Sequence, residues 1–304
     1  MNVILAGIEG YRQGNEPGVH NALVNALARI VADAPSDPAF AAEALALPSE
    51  VYIAEQLDVV DPKAILHVRT ALRKHIASAL ESDLLSTYGS FAVIGDYSPD
   101  PESAGRRALR NSCLSYLMEL ATPAIINRCV EQLNNADNMT ESIAALSALA
   151  NCECPERAPA IAAFYMKWRE EPLVVDKWFA VQTTSRLPKA LEKVKELMRH
   201  EAFDIKNPNN VRAVIGAFCH GNHAAFHSDD GSGYAFAAAQ VIALDAINAQ
   251  IAARLARAFD RWRKFDIQHQ QHAHSALERI RSTEGLSKDT FEVVSNALAE
   301  SDQS

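Results

Sequence analysis

TPAIINRCVEQLNNADNMTESIAALSALA, Thr122 to Ala150, is the stretch that decides how this chain folds. Apolar residues recur in it with the period of an α-helix, twice over. Pro123 to Asn134 reads as one helix, with Thr122 as its cap and proline in the first turn, where the absent N–H costs nothing. Asn134-Asn135 breaks it. Thr140 to Leu149 reads as the next helix, and its Thr-Glu-Ser start puts acid in the first turn, where the helix dipole favours it. Two helices and a short polar link make one hairpin.

The same pattern extends in both directions. Upstream, Val19–Ala32, Pro62–Leu80 (capped by Asp61) and Ser103–Leu120 carry helical periodicity. Downstream come Glu156–Glu170, Val174–Thr184, Pro188–His200, Asn209–Phe218, Tyr234–Ile247, Gln250–Phe259, Arg261–Arg281 and Lys288–Ala299. The links are short and hold breakers such as Pro155, Pro172, Pro208 and Gly285. From Arg106 onward one helix pair recurs about every 35 to 40 residues, the element period of HEAT or armadillo arrays. The expected fold class is all-α: a HEAT/armadillo-like α-α superhelix of stacked hairpins. It is expected to form one domain over 1–304, with an irregular insertion at 87–101 that holds Gly89, Gly95, Pro99 and Pro101. A domain split at that insertion is the alternative.

Composition agrees. Hydrophobic residues make up 48% and charged residues 22%, and Gly and Pro number only 12 and 13, so a disordered or loop-rich chain is excluded. Ala and Leu dominate, which favours helix. The net charge of −9 argues against a nucleic-acid partner, since phosphate binding needs a basic face. No stretch approaches the roughly 18 apolar residues of a membrane span. The start, MNVILAGIEGYRQGN, lacks the basic region and apolar core of a secretion signal. Its residues 2 to 16 read as entering the domain part-way along a helix. Five cysteines give an odd count without a small-domain framework, so reduced thiols and a cytoplasmic location are expected.

Six strings carry a more specific signal. They are LPSE at Leu47–Glu50, GRRALRN at Gly105–Asn111, DNMTESIAALSAL at Asp137–Leu149, DKWFAVQTTS at Asp176–Ser185, NPNNVRAVIGAF at Asn207–Phe218 and FHSDDGSGY at Phe226–Tyr234. In kind and order they resemble the C-terminal α-helical domain of the bacterial aminopeptidase N (alanyl aminopeptidase) family, zinc metallopeptidases of the gluzincin class. The resemblance implies a longer enzyme whose catalytic domain holds zinc through His-Glu-x-x-His plus a later Glu and removes N-terminal residues from peptides. In such an enzyme this chain would cap the catalytic domain of the same polypeptide, line the channel for peptide substrates with a free N-terminus, and hold no cofactor itself. The zinc motif puts two imidazoles on one helical face with a Glu as general base. The nearest string here is HEAFD, His200 to Asp204, which lacks the second imidazole. No catalytic residue and no metal ligand is therefore expected in this chain, which alone should be inactive.

The same resemblance marks Arg212, Gln250 and Arg254 as substrate-channel candidates. Gln250 and Arg254 are four apart and share a helical face, which Arg257, Arg261 and Lys264 would continue. A guanidinium suits a channel wall because its planar fork grips a carboxylate with two hydrogen bonds. The plain alternative is a solvated amphipathic face, and for Arg212 a surface or structural arginine. FHSDDGSGY lacks the alternating ligands of a calcium loop and reads as a tight turn with Asp or Ser capping the next helix. His269 and His272 are i, i+3 but have no completing Cys or acid, on a helix that reads as exposed. Cys152 and Cys154 lack a second pair for a zinc ribbon. Trp168, Trp178 and Trp262 read as packing residues. The other reading is a free-standing helical-repeat scaffold that binds a protein partner. It would carry polar caps at both ends, where an enzyme piece would expose an apolar docking patch.

Overall fold

The computed structural model describes residues 1–18 and 21–299. The described residues are helical, with no strand beyond one isolated bridge between Val60 and Phe265. The helices in order are α1 (Asn2–Arg12), α2 (Asn21–Asp33), α3 (Pro38–Ala44), α4 (Glu50–Glu55), α5 (Pro62–Ala79), α6 (Glu81–Ser90), α7 (Pro101–Leu117), α8 (Pro123–Asn135), α9 (Met139–Ala150) and α10 (Arg157–Trp168). There follow α11 (Pro172–Thr183), α12 (Ala190–Leu197), α13 (Pro208–Val211), a π-helical segment Arg212–Gly216, α14 (Ala217–Gly221), α15 (His223–Phe226), α16 (Ser232–Asp245), α17 (Ala249–Ala256), α18 (Ile267–Arg281) and α19 (Lys288–Leu298). Contacts divide the chain into two compact units, 1–53 with 63–167, and 54–62 with 168–304.

In the first unit the opening hairpin forms as expected. Thr122 Oγ1 accepts from Ile125 N–H at the start of α8, and Asn138 Oδ1 accepts from Glu141 N–H at 3.0 Å at the start of α9. The two helices pack on each other and α7 packs on α9. Arg110 of α7 pairs with Glu141 of α9, and its guanidinium lies 4.5 Å from the centre of the Tyr88 ring. Tyr88 Oη donates to Gln132 at 2.9 Å, and Gln132 Nε2 donates to Asn111 and to the Glu141 carbonyl. GRRALRN and DNMTES are thus two halves of one buried polar lock. Gly105 lets α7 approach α3 closely: a Cβ there would stand 3.2 Å from the Ala39 backbone nitrogen. Tyr116 Oη reaches the Leu45 carbonyl at 2.6 Å, and Arg69 Nε the Pro48 carbonyl at 2.8 Å, which fixes the LPSE turn.

Four helices are present that local periodicity does not announce: α3, α4, α6 and α15. The irregular stretch is shorter than 87–101, because α6 runs on to Ser90 and α7 begins at Pro101 under an Asp100 cap. No unit boundary falls in it. The expected first residue of α2, Val19, lies outside the described residues.

In the second unit α16, α17, α18 and α19 pack in successive pairs. Asp245 at the end of α16 accepts from Ser287 N–H and from the Ser287 and Thr290 hydroxyls, which anchors the start of α19. The expected helix Arg261–Arg281 is interrupted. Trp262–Lys264 forms a single 3-10 turn, Phe265 is extended, and Asp266 Oδ1 caps α18 by accepting from His269 N–H at 3.0 Å. Phe265 is buried and faces Val60 in the bridge, whose N–H donates to the Lys264 carbonyl at 2.7 Å. A long-range pairing overrides the local helical pattern there.

Candidate functional site

Arg212 opens the π-helical segment that replaces the middle of the expected helix Asn209–Phe218. Asn207 caps α13 by accepting from Asn209 N–H, and Pro208 fits the first turn. Past Val211 the hydrogen bonds widen to the π pattern. The inner residues Ala213, Val214 and Ile215 stay buried, and Thr183 Oγ1 of α11 donates to the Ala213 carbonyl at 3.1 Å. Asn222 Nδ2 donates to the carbonyls of Thr183 and Ser185 at 3.0 and 2.8 Å. DKWFAVQTTS and NPNNVRAVIGAF are therefore hydrogen-bonded partners. The widened turn is held on its inner side and presents Arg212 outward, exposed and with no side-chain bond to the described residues. Single π turns of this kind recur at functional sites.

Gln250 and Arg254 stand on α17. Asn248 caps that helix, its side chain accepting from Ile251 N–H at 3.2 Å. Ala252, Ala253, Leu255 and Ala256 are buried against α16 and α19, so the i, i+4 pair Gln250 and Arg254 is left on the outer face. Both are exposed, and neither bonds to the described residues. Gln250 and Arg254 share a face with each other, and Arg212 lies on a different element. The expected continuation of the stripe stops at Ala256, where α17 tightens into a 3-10 turn. Arg261 pairs instead with Glu55 at 2.5 Å, and Lys264 donates to the Glu55 carbonyl at 3.2 Å.

Sequence reasoning missed a cluster of rings under the FHSDDGSGY turn. His227 Nδ1 lies 2.7 Å from Tyr234 Oη, and the His227 ring stacks on Phe265 with centroids 4.1 Å apart. The His223 ring centre is 4.7 Å from that of His227. His269 is buried, where an exposed position was expected. Its Nδ1 is 2.8 Å from Asp266 Oδ2, and its Nε2 is 3.0 Å from the His227 carbonyl. Burial pushes His223 down to about 4. Burial, with repulsion from His223 and His269, holds His227 well below the ordinary histidine value. The recurrence of His223 and His227 at i, i+4 beside aromatic residues was the available signal.

The tight turn forms as read, but neither Asp nor Ser caps the helix: the N-cap of α16 is Gly231, with no side-chain cap. Gly231 takes a left-handed conformation (φ +69), and Asp230 Oδ1 accepts from Ser232 N–H at 3.0 Å at the start of α16. Gly233 is held against the chain so closely that a Cβ would meet the Phe226 carbonyl oxygen at 2.0 Å. His272 packs its ring over Gly231, away from a shared site with His269. Among the described residues no group of three or more His, Cys, Asp or Glu is placed to hold a metal ion, so the donors here do not fit zinc. All five cysteines are free. No helix among the described residues is long and apolar enough to cross a membrane.

Stacked helical hairpins, locked in pairs by buried polar groups and carrying no metal set among the described residues, define an armadillo-type repeat domain. The chain belongs to the family of ARM-repeat domains described as DUF3458_C, a domain of unknown function, which it matches over residues 1–299. It is 37% identical over 296 residues to aminopeptidase N of Escherichia coli, covering 97% of this chain and 34% of that protein. It is 39% identical over 274 residues to aminopeptidase N of Caulobacter vibrioides, covering 90% of this chain and 32% of that protein. Among solved structures it is similar to Legionella pneumophila aminopeptidase A in complex with aspartic acid, with a TM-score of 0.87 and 30% identity over 97% of this chain and 35% of the other. The chain spans about a third of the length of the curated relatives it matches, and its match is to the helical C-terminal domain of aminopeptidase N.

Proposed function

We propose that residues 1–304 work as one C-terminal domain of a zinc-dependent, cytoplasmic aminopeptidase N that removes N-terminal residues from peptides. In this reading the domain covers the catalytic domain of the same polypeptide and walls the peptide channel. The zinc belongs to that other domain. The observation that carries the reading is the likeness to aminopeptidase N over 97% of the chain. Two features support a docked, channel-lining role. Large apolar side chains stand exposed at Phe40, Ile94, Leu173 and Ile267, each available for contact with another domain. Arg212, Gln250 and Arg254 are exposed and uncommitted on rigid helices, free to meet peptide carbonyls or a C-terminal carboxylate.

The test is kinetic and uses the full-length enzyme. Arg254→Ala is expected to lower kcat/KM for tri- to hexapeptides by about tenfold, the scale of one lost charge-assisted hydrogen bond, and to leave a short alanyl chromogenic amide nearly unchanged. Unchanged kinetics across the peptide series would remove Arg254 from the channel.

A further inference from the structure

α12 and α16 flank an open groove of about 600 Å³ within the second unit, in the size range of small-molecule sites. We propose that this groove binds an apolar monocarboxylate of the size of one peptide C-terminal residue, with Lys195 and Arg199 holding the carboxylate and Met198 and Phe236 receiving the side chain.

The cations come first. Lys195 and Arg199 are i, i+4 on α12 and its C-terminal extension, so both ammonium and guanidinium reach the same rim. Both are exposed, and neither makes an ion pair or side-chain hydrogen bond with the described residues. The neighbouring Lys193 is neutralised within the helix by Glu196 at 2.5 Å, which leaves Lys195 and Arg199 as the pair without a counter-ion. In a protein of net charge −9, two adjacent unpaired cations at the mouth of a groove select an anion.

The floor comes second. α16 puts Ala235 and Ala239 one turn apart toward the groove, and two small side chains in register leave a furrow in the helix surface. Phe236, itself buried, and Met198 line the furrow. A flexible thioether and an aromatic ring adapt to aliphatic or aromatic groups alike. Ser232 and Gln240 supply polar groups at the edge for an amide. Asp230 is already spent on the Ser232 N–H and the Ser228 hydroxyl, so it does not compete for the two cations. Charge at the rim and apolar surface below call for one molecule with both properties. The argument uses α12 and α16 alone and does not depend on the peptidase reading.

N-acetyl-phenylalanine is the probe, and its primary amide the control. The blocked amine keeps it from acting as an aminopeptidase substrate. The full chain is labelled at the methionine methyls, with Met198 assigned through Met198→Leu, and titrated by NMR. Millimolar affinity is expected for a ligand this small. The Met198 methyl resonance should move saturably with the acid, and the amide should bind about tenfold more weakly or not at all. Lys195→Gln combined with Arg199→Gln, both at exposed helix positions, should weaken the acid about tenfold with no change in the far-UV circular dichroism. Failure of the acid to move Met198, equal binding of acid and amide, or unchanged affinity in the double variant would each overturn the proposal. The first of these results would return the groove to a protein-docking face.

Discussion

Asn210 Nδ2 donates to Asp176 Oδ1 at 2.7 Å, and the same side chain accepts from Asp204 N–H through Oδ1 at 2.9 Å. One buried amide thus ties α13 to α11 and closes the loop that leads into the π turn. Asn210→Ala leaves both partners without it. The expected cost is about 1–3 kcal/mol, the penalty for orphaning buried polar groups. Urea denaturation of the chain reads it as a lower midpoint at unchanged slope. An unmoved midpoint would mean that water replaces the amide at no cost.

The Arg110–Glu141 pair makes a sharper energetic claim. Both side chains are largely buried, so breaking the pair from one side strands a charge. Glu141→Leu alone should destabilise by about 3 kcal/mol, and Arg110→Met together with Glu141→Leu by clearly less. Additive losses in the double-mutant cycle would show that the two groups are energetically independent despite their contact.

Gly233 tests a steric claim. A methyl at this position meets a carbonyl oxygen at 2.0 Å, so the backbone of α16 or of Phe226 must move. Gly233→Ala should cost more than about 2 kcal/mol, whereas Gly89→Ala, where a Cβ meets nothing, should be nearly neutral. Similar thermal midpoints for the two variants would contradict the packing described for the FHSDDGSGY turn.

The half-buried His223 and the buried His227 set an acid limit. His223 sits at about 4 in the folded chain against about 6.5 when unfolded. Between those values the unfolded state binds the extra proton, so stability rises with pH across this window. It is fully present above about 6.5, falls as the pH drops, and stops falling near 4. His227, also pushed down by burial, adds to the same trend. The loss between pH 7 and pH 4.5 should be on the order of 2 kcal/mol for His223, and His223→Leu should flatten it by that amount. An unaltered pH profile in the variant would assign the loss to other groups.

The hairpins were legible because their signals are local. Thr122-Pro123 marks the start of α8 and Thr140-Glu141-Ser142 the first turn of α9, although the cap of α9 is Asn138. The break at Phe265 was not legible, because its partner Val60 lies far away in sequence and the Lys264 carbonyl is claimed by Val60 N–H instead of a helical donor. The π turn at Arg212 was hidden for another reason: its apolar residues keep near-helical spacing, and only the Thr183 hydroxyl on the Ala213 carbonyl marks it. Short helices such as α3 hold too few turns for periodicity to register. Of the candidate site, the shared face of Gln250 and Arg254 followed from spacing. The histidine cluster did not, since it joins α15, α16 and α18 through folded contacts.

The central proposal is that this chain serves as a helical, non-catalytic domain of a zinc aminopeptidase. It is tested most directly on the purified chain, by elemental analysis for bound zinc and by turnover of an alanyl chromogenic amide in the same sample. The account predicts neither zinc nor turnover. Stoichiometric zinc together with hydrolysis would contradict it and place a complete metal centre within these residues.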